Sequence, residues 1–243
     1  RKTRTEACAP PGLMKPRDLT RYLEDLGWRD PLDLPAERKR PDKSNEAPPT
    51  SKIVSEPEFT DLAGLARFLD GCTRCRLSEQ RRSVVVGEGA ADARVMFVGE
   101  GPGAEEDRTG RPFVGQAGKL LDRMILAMGF ERDQTYIANV VKCRPPGNRD
   151  PKDDEIAACS TFLDRQIEFI RPEVIVALGR FAANRLTATE KPLGALRGRW
   201  SHYRGVPLLA TYHPAYLLRT PADKRKVWDD LKLVLSKLAE SRS

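Results

Sequence analysis

From Phe59 onward, short apolar runs and longer stretches with apolar residues three or four apart take turns along the chain. The runs at 94–98, 135–141, 173–178 and 206–211 are mostly β-branched or aliphatic and are bounded by turn or charge signals, as strands buried on both faces are. Between them, Leu120, Leu121, Met124, Ile125 and Met128 make one helical stripe. Ile156, Cys159, Leu163, Ile167 and Ile170 make a second, which opens with Asp150-Pro151 at its cap. Strand and helix in alternation predict an α/β fold. The expected form is a three-layer α/β/α sandwich around a central, mainly parallel, four-stranded sheet, with ligands bound beyond the carboxyl ends of the strands.

The first part of the chain has a different texture. Residues 31–57 carry Pro31, Pro35, Pro41, Pro48, Pro49 and Pro57 among many charged residues and show almost no apolar periodicity, the composition of a flexible or partly extended linker. Before it, Leu19, Tyr22, Leu23 and Leu26 fall at helical spacing and stop at Gly27, so one short amphipathic helix is expected there, docked on the body or offered to a protein partner. The chain therefore divides into an N-terminal extension, 1–58, and a single α/β domain, 59–243. Met14 is the expected natural start, with residues 1–13 as upstream sequence.

Charge adds a partner class. The formal net charge is +7, and an excess of Lys and Arg suits a polyanion, because each neutralised phosphate releases counterions. No apolar run reaches the length of a membrane span, and the N-terminus lacks the layout of a signal peptide, so a cytoplasmic protein is expected. In a reducing compartment the five cysteines are not expected to form disulfides, which leaves metal binding, catalysis or packing.

Candidate chemistry concentrates after the first strand. Residues 99–118 read Gly-Glu-Gly-Pro-Gly-Ala-Glu-Glu-Asp-Arg-Thr-Gly-Arg-Pro-Phe-Val-Gly-Gln-Ala-Gly, with glycines crowded around one aromatic, Phe113. Glycines at a strand end let backbone N–H groups approach a ligand closely, and Phe113 calls for a flat partner. A phosphate loop is ruled out because Leu120, not Ser or Thr, follows Gly118-Lys119, and the spacing is not the dinucleotide fingerprint. Cys72-Thr-Arg-Cys75 alone could be a redox pair or half a zinc site, and Cys159 alone would be a core residue. With Cys143 they make a set of four, and spacing does not separate structural zinc from a [4Fe–4S] cluster. A lone Asn139 after a strand is ordinarily a turn residue, and a lone His213 ordinarily a satisfied structural one.

The glycine stretch, Tyr136-Ile-Ala-Asn139-Val-Val-Lys-Cys143-Arg-Pro-Pro, the four cysteines and His213-Pro-Ala-Tyr-Leu-Leu-Arg219 occur in one order and together cover roughly residues 61–240. In that order they resemble the family 4 uracil-DNA glycosylases, the iron–sulfur branch of the uracil-DNA glycosylase superfamily. The resemblance implies a monofunctional repair hydrolase that flips uracil out of DNA, cuts its N-glycosidic bond and leaves an abasic site. It implies a structural [4Fe–4S] cluster on Cys72, Cys75, Cys143 and Cys159. Asn139 would read the uracil edge, accepting from N3–H and donating to O4. Phe113 would stack on the ring, and Glu106 would crowd C5 against thymine. His213 would donate to O2 as charge builds on the leaving base. Gly101 stands where other branches carry an Asp base, leaving Glu100 as the nearest carboxylate to position water.

For DNA, Leu217 would be the apolar wedge, and Arg144, Arg149, Arg197, Arg199 and Arg219 would face the backbone. Ala215 replaces a Ser common in the family, which removes one phosphate hydrogen bond. The expected protein is a monomer on uracil-containing DNA, single- or double-stranded, on the nucleoid of a prokaryote, with the N-terminal extension free for a protein partner. Three other readings compete: a covalent uracil-DNA binder of the same superfamily, a zinc-dependent DNA-binding module, and a polymerase-associated adaptor. The first needs a His in an inserted basic loop, and Lys142-Cys143-Arg144-Pro145 contains neither. The other two leave Asn139 and His213 without a use.

Overall fold

A computed structural model describes residues 59–241, so the expected N-terminal helix and linker lie outside the described residues. The strands are β1 (Glu88–Gly89), β2 (Val95–Gly99), β3 (Tyr136–Asn139), β4 (Val174–Leu178), β5 (Trp200–Tyr203) and β6 (Val206–Thr211). The helices are α1 (Leu62–Asp70), α2 (Ala104–Thr109), α3 (Gln116–Ala127), α4 (Asp153–Ile170), α5 (Gly179–Thr187), α6 (Leu193–Leu196), α7 (Pro214–Arg219) and α8 (Lys224–Glu240).

One six-stranded sheet has the order β1-β3-β2-β4-β6-β5. Its four central strands are parallel, and β1 and β5 are antiparallel edges. The expected four-stranded sheet is this centre, and the two edges extend it. They escaped the apolar pattern because β1 is only Glu-Gly, and because β5, Trp-Ser-His-Tyr, alternates exposed and half-buried positions.

Alternation along β2 builds the layers. Met96 and Val98 point into a core closed by α1, α4 and α5, whereas Val95 and Phe97 point into a second core closed by α3, α7 and α8. Both predicted helical stripes are buried in full. The start of α4 differs from expectation: Pro151 lies outside the helix, and the Glu155 carboxylate caps it by accepting from the Lys152 N–H at 2.8 Å.

Topology fixes where a ligand can sit. The chain passes from β2 to β3 on one side, then crosses to β4 on the other side of β2. The switch point therefore opens beyond the carboxyl ends of β2 and β4, and in open α/β sheets that crevice is the binding site.

Candidate active site

Four strand ends converge there. β2 delivers Glu100 and Gly101, β3 ends on Asn139, β4 runs into Gly179-Arg180, and β6 runs through Tyr212 into His213. Gly99 makes the close approach possible: a Cβ there would collide with Asn139 Oδ1 and come within 2.7 Å of Phe113 Cζ. Any side chain would therefore fill the floor on which the amide and the ring meet. Phe113 itself has φ +50°, a left-handed conformation that is costly for an aromatic residue. Arg132 helps hold it by donating to the carbonyls of Pro112 and Phe113. The Phe113 and His213 rings lie with centroids 5.5 Å apart and planes 31° apart.

Asn139 is 2 % exposed, and its Oδ1 is buried without a hydrogen-bond partner. Leaving a buried acceptor unpaired costs about 1–3 kcal/mol, so the site holds an acceptor that a bound donor would satisfy. The backbone of Asn139 is tied from beneath. Nζ of the fully buried Lys142 donates to the Asn139 carbonyl at 2.8 Å and to Gln166 Oε1 at 2.5 Å.

His213 is held in one tautomer. Its Nδ1 accepts from the Ala215 N–H at 3.1 Å, so the proton is on Nε2. Burial pushes its pKa down to about 4, with Glu106 opposing and Arg219 adding to the drop. The ring is a neutral donor at ordinary pH.

Glu106 has both oxygens committed. Oε2 accepts from the Gly103 N–H at 3.1 Å, and Oε1 accepts from the N–H groups of Val114 and Gly115 at 2.9 and 3.1 Å. This carboxylate clamps the two halves of the glycine stretch around Phe113. Glu100 is half-buried, and its pKa rises to about 7, first through burial and then through Asp150, with Arg180 pulling it back. At Gly101 a Cβ would meet Val141 Cγ2 at 2.8 Å, so bulk is excluded there too.

The DNA-facing expectations need corrections. Leu217 is 0 % exposed and packs in the core behind α7, so it is no wedge; the apolar side chain presented outward is its neighbour Leu218, 44 % exposed. In a helix beginning at Pro214, a shift of one residue turns the side chain by about 100°. Arg197 is not free for a phosphate: it donates to both carboxylate oxygens of Asp230, at 3.1 and 3.0 Å, and to the Lys226 carbonyl. Arg149 pairs both Nη groups with Glu155. Arg144 is half-buried and donates from Nε to Asn148 Oδ1 at 2.8 Å. Arg199 and Arg219 are exposed.

Sequence reasoning missed Arg180, an exposed cation on the first turn of α5, although a Gly-Arg pair after an apolar run was a usable signal. It also missed Leu218, the support of Asn139 by Lys142 and the capping of His213 by Ala215.

The cysteines gather beneath this site. Cys72 and Cys75 are half-buried, Cys143 and Cys159 are buried, and all four thiols are free. Burial raises the pKa of Cys75 and Cys143 and pushes that of Cys159 up to about 12, while the charge of neighbouring thiols adds to each rise. Two N–H donors already point at sulfur: Arg81 Nη1 donates to Cys143 Sγ and the Lys142 N–H to Cys159 Sγ, each at 3.3 Å. Donors to sulfur and a nearby guanidinium suit thiolate ligands. Among the described residues, however, no group of three or more His, Cys, Asp or Glu is arranged to hold a metal ion.

The chain belongs to the Uracil DNA glycosylase superfamily: residues 86–232 match its model, and that span includes the switch-point crevice with Asn139, Phe113 and His213. Within it the chain is a member of the type-4 branch. It is 46 % identical over 172 residues to the type-4 uracil-DNA glycosylase of Sulfurisphaera tokodaii, covering 67 % of this chain and 78 % of that protein. It is 49 % identical over 165 residues to the type-4 enzyme of Thermotoga maritima, covering 66 % and 86 %. With that of Archaeoglobus fulgidus it shares 41 % over 183 residues, covering 71 % and 91 %. No helix among the described residues is long and apolar enough to cross a membrane.

Proposed function

We propose that the chain is a DNA repair hydrolase that binds a uracil nucleotide flipped out of DNA and hydrolyses its N-glycosidic bond, releasing the base and leaving an abasic site. The observation that carries the reading is the unpartnered, buried Oδ1 of Asn139, an acceptor placed to receive uracil N3–H while the amide N–H₂ donates to O4. Cytosine presents the opposite pattern at those two positions, so the same amide rejects it. Phe113 stacks on the base, and Glu106 borders C5, where thymine carries its methyl group.

As the bond to C1′ breaks, negative charge grows on uracil O2, and the neutral Nε2–H of His213 stabilises it there. Glu100 orients the attacking water and, when ionised, accepts its proton. Lys142 does not serve as an amine nucleophile, because its Nζ is fully buried and already donates twice. That supports a monofunctional enzyme, without strand cutting.

The four cysteines hold a [4Fe–4S] cluster, whose contribution is to brace the fold. The N–H donors of Arg81 and Lys142 aimed at Cys143 Sγ and Cys159 Sγ support thiolate ligands there. Leu218 replaces the flipped base in the stack, and Arg219 and Arg180 face the backbone. The domain 59–243 acts as a monomer in a prokaryotic cytoplasm, at the nucleoid, and the extension 1–58 is left for a protein partner. The test is incubation with a uracil-containing oligonucleotide followed by alkali. Strand scission at the uracil position is expected, and an intact strand would refute the activity.

A further inference from the structure

Two peptide planes flank the Cα of Phe113, and one guanidinium grips both. Arg132 Nη2 donates to the Pro112 carbonyl at 2.5 Å, and Nη1 donates to the Phe113 carbonyl at 3.3 Å. Holding the plane before Cα constrains φ, and holding the plane after it constrains ψ. The second plane is also held at its other end, where the Val114 N–H donates to Glu106 Oε1 at 2.9 Å. A phenylalanine released from such ties relaxes from φ +50° to the negative-φ regions that L side chains prefer, and its ring swings with the Cα–Cβ bond.

Arg132 is itself aimed by carboxylates from two elements. Nε donates to Glu88 Oε1 on β1 at 3.3 Å, and Nη1 donates to Asp122 Oδ1 on α3 at 2.5 Å. Glu88 also ties down the loop just ahead of the ring: its Oε2 accepts from Arg111 Nε at 2.8 Å and its Oε1 from Arg111 Nη2 at 2.7 Å. A planar fork with several donors can bridge two carbonyls and two carboxylates at once, which an ammonium group cannot do in one fixed geometry. These donors go to backbone and carboxylates, so Arg132 acts on the site through Phe113. We propose that Arg132, oriented by Glu88 and Asp122, is the positioning residue for base stacking: it holds Phe113 in the left-handed conformation that sets the ring beside His213, ready for the flipped base. This rests on the reading of Phe113 as the stacking residue.

The experiment uses the full chain and compares wild type with Arg132→Met and Glu88→Gln. Fluorescence anisotropy measures binding to two labelled strands. One carries a deoxyuridine fluorinated on the sugar so that its glycosidic bond resists cleavage, and the other a tetrahydrofuran abasic analogue with no base to stack. Arg132→Met should bind the uracil strand about tenfold more weakly, the scale of losing one base–aromatic stack, and the abasic strand as wild type does. Glu88→Gln keeps the guanidinium but weakens its aim, and should show the same selective loss at about two- to threefold; it judges the proposal should Arg132→Met fail to fold. In a Phe113→Leu background, Arg132→Met should bring no further loss on the uracil strand. Equal weakening on both strands, an unchanged preference for the uracil strand, or a full additional loss in the Phe113→Leu background would make Arg132 merely structural and overturn the proposal. So would a crystal structure of Arg132→Met with Phe113 still at positive φ. Wild type that binds the two strands equally would contradict the base pocket itself, while φ of Phe113 in the variant still decides whether Arg132 holds the ring.

Discussion

The Ala215 N–H donates to Nδ1 of His213 over 3.1 Å, and this one bond leaves the ring proton on Nε2. Turning α7 directly after the histidine supplies the donor, and Pro214 at the first helical position starts that turn. The imidazole thus presents Nε2–H without needing a carboxylate partner.

His213→Ala should therefore lower single-turnover uracil release about a hundred- to a thousandfold, the usual loss of one donor to a developing anion, with binding of uracil-DNA nearly intact. Equal losses in binding and turnover would make the residue structural.

The acid limb of activity should belong to Glu100 and not to His213. Glu100 is raised to about 7, so it loses the charge needed to accept a proton as pH falls through neutrality, whereas His213, lowered to about 4, stays neutral throughout that range. Glu100→Gln should abolish the step near pH 7 in kcat/KM as well as lower the plateau. Stability moves the other way for each group. A histidine with a depressed folded pKa favours the folded state above the unfolded value and loses that advantage as pH falls from ~6.5 towards 4; a carboxyl with a raised pKa gains stability as pH falls from about 7 towards ~4.5. An acid step that survives in Glu100→Gln would contradict the assignment.

Leu217 and Leu218 should separate cleanly. Leu217→Ala opens a cavity in a packed core and should cost about 2–5 kcal/mol in denaturant unfolding. Leu218→Ala should leave stability within about 0.5 kcal/mol but slow uracil release from duplex more than from single strands, because only the duplex must be kept open. Equal slowing on both substrates would remove Leu218 from the wedge role.

Much of the centre of this fold is legible in sequence because burial on both faces leaves unbroken apolar runs, as in Val174–Leu178, and because helical stripes repeat faithfully. Edge strands such as Trp200–Tyr203 carry no such run. Asn139 and His213, the proposed site residues at strand ends, are ordinary by residue type alone and gain their roles in sequence only from the family resemblance. What sequence hides is pairing across long separations: Arg197 is spent on Asp230, thirty-three positions away, and nothing local distinguishes it from Arg199, which enters no ion pair among the described residues. The facing of adjacent leucines on a six-residue helix, and the positive φ of Phe113, are likewise set by tertiary packing.

Freshly purified protein should be yellow-brown and contain iron and sulfide in equal amounts. Cys143→Ala or Cys159→Ala should reduce folded yield, since metal binding energy is also folding energy. One zinc per chain and no colour would overturn the cluster.

The most direct test of base selection is single-turnover cleavage of matched uracil and cytosine oligonucleotides by wild type and Asn139→Asp. The substitution keeps the shape but sets an acceptor against uracil O4 while offering cytosine's amine a partner. A bidentate contact carries roughly 1–3 kcal/mol of discrimination, and a buried mismatch adds a penalty of similar size. Uracil release should fall by about a hundredfold or more, and slow cytosine release should appear; unchanged uracil release would show that Asn139 does not read the base.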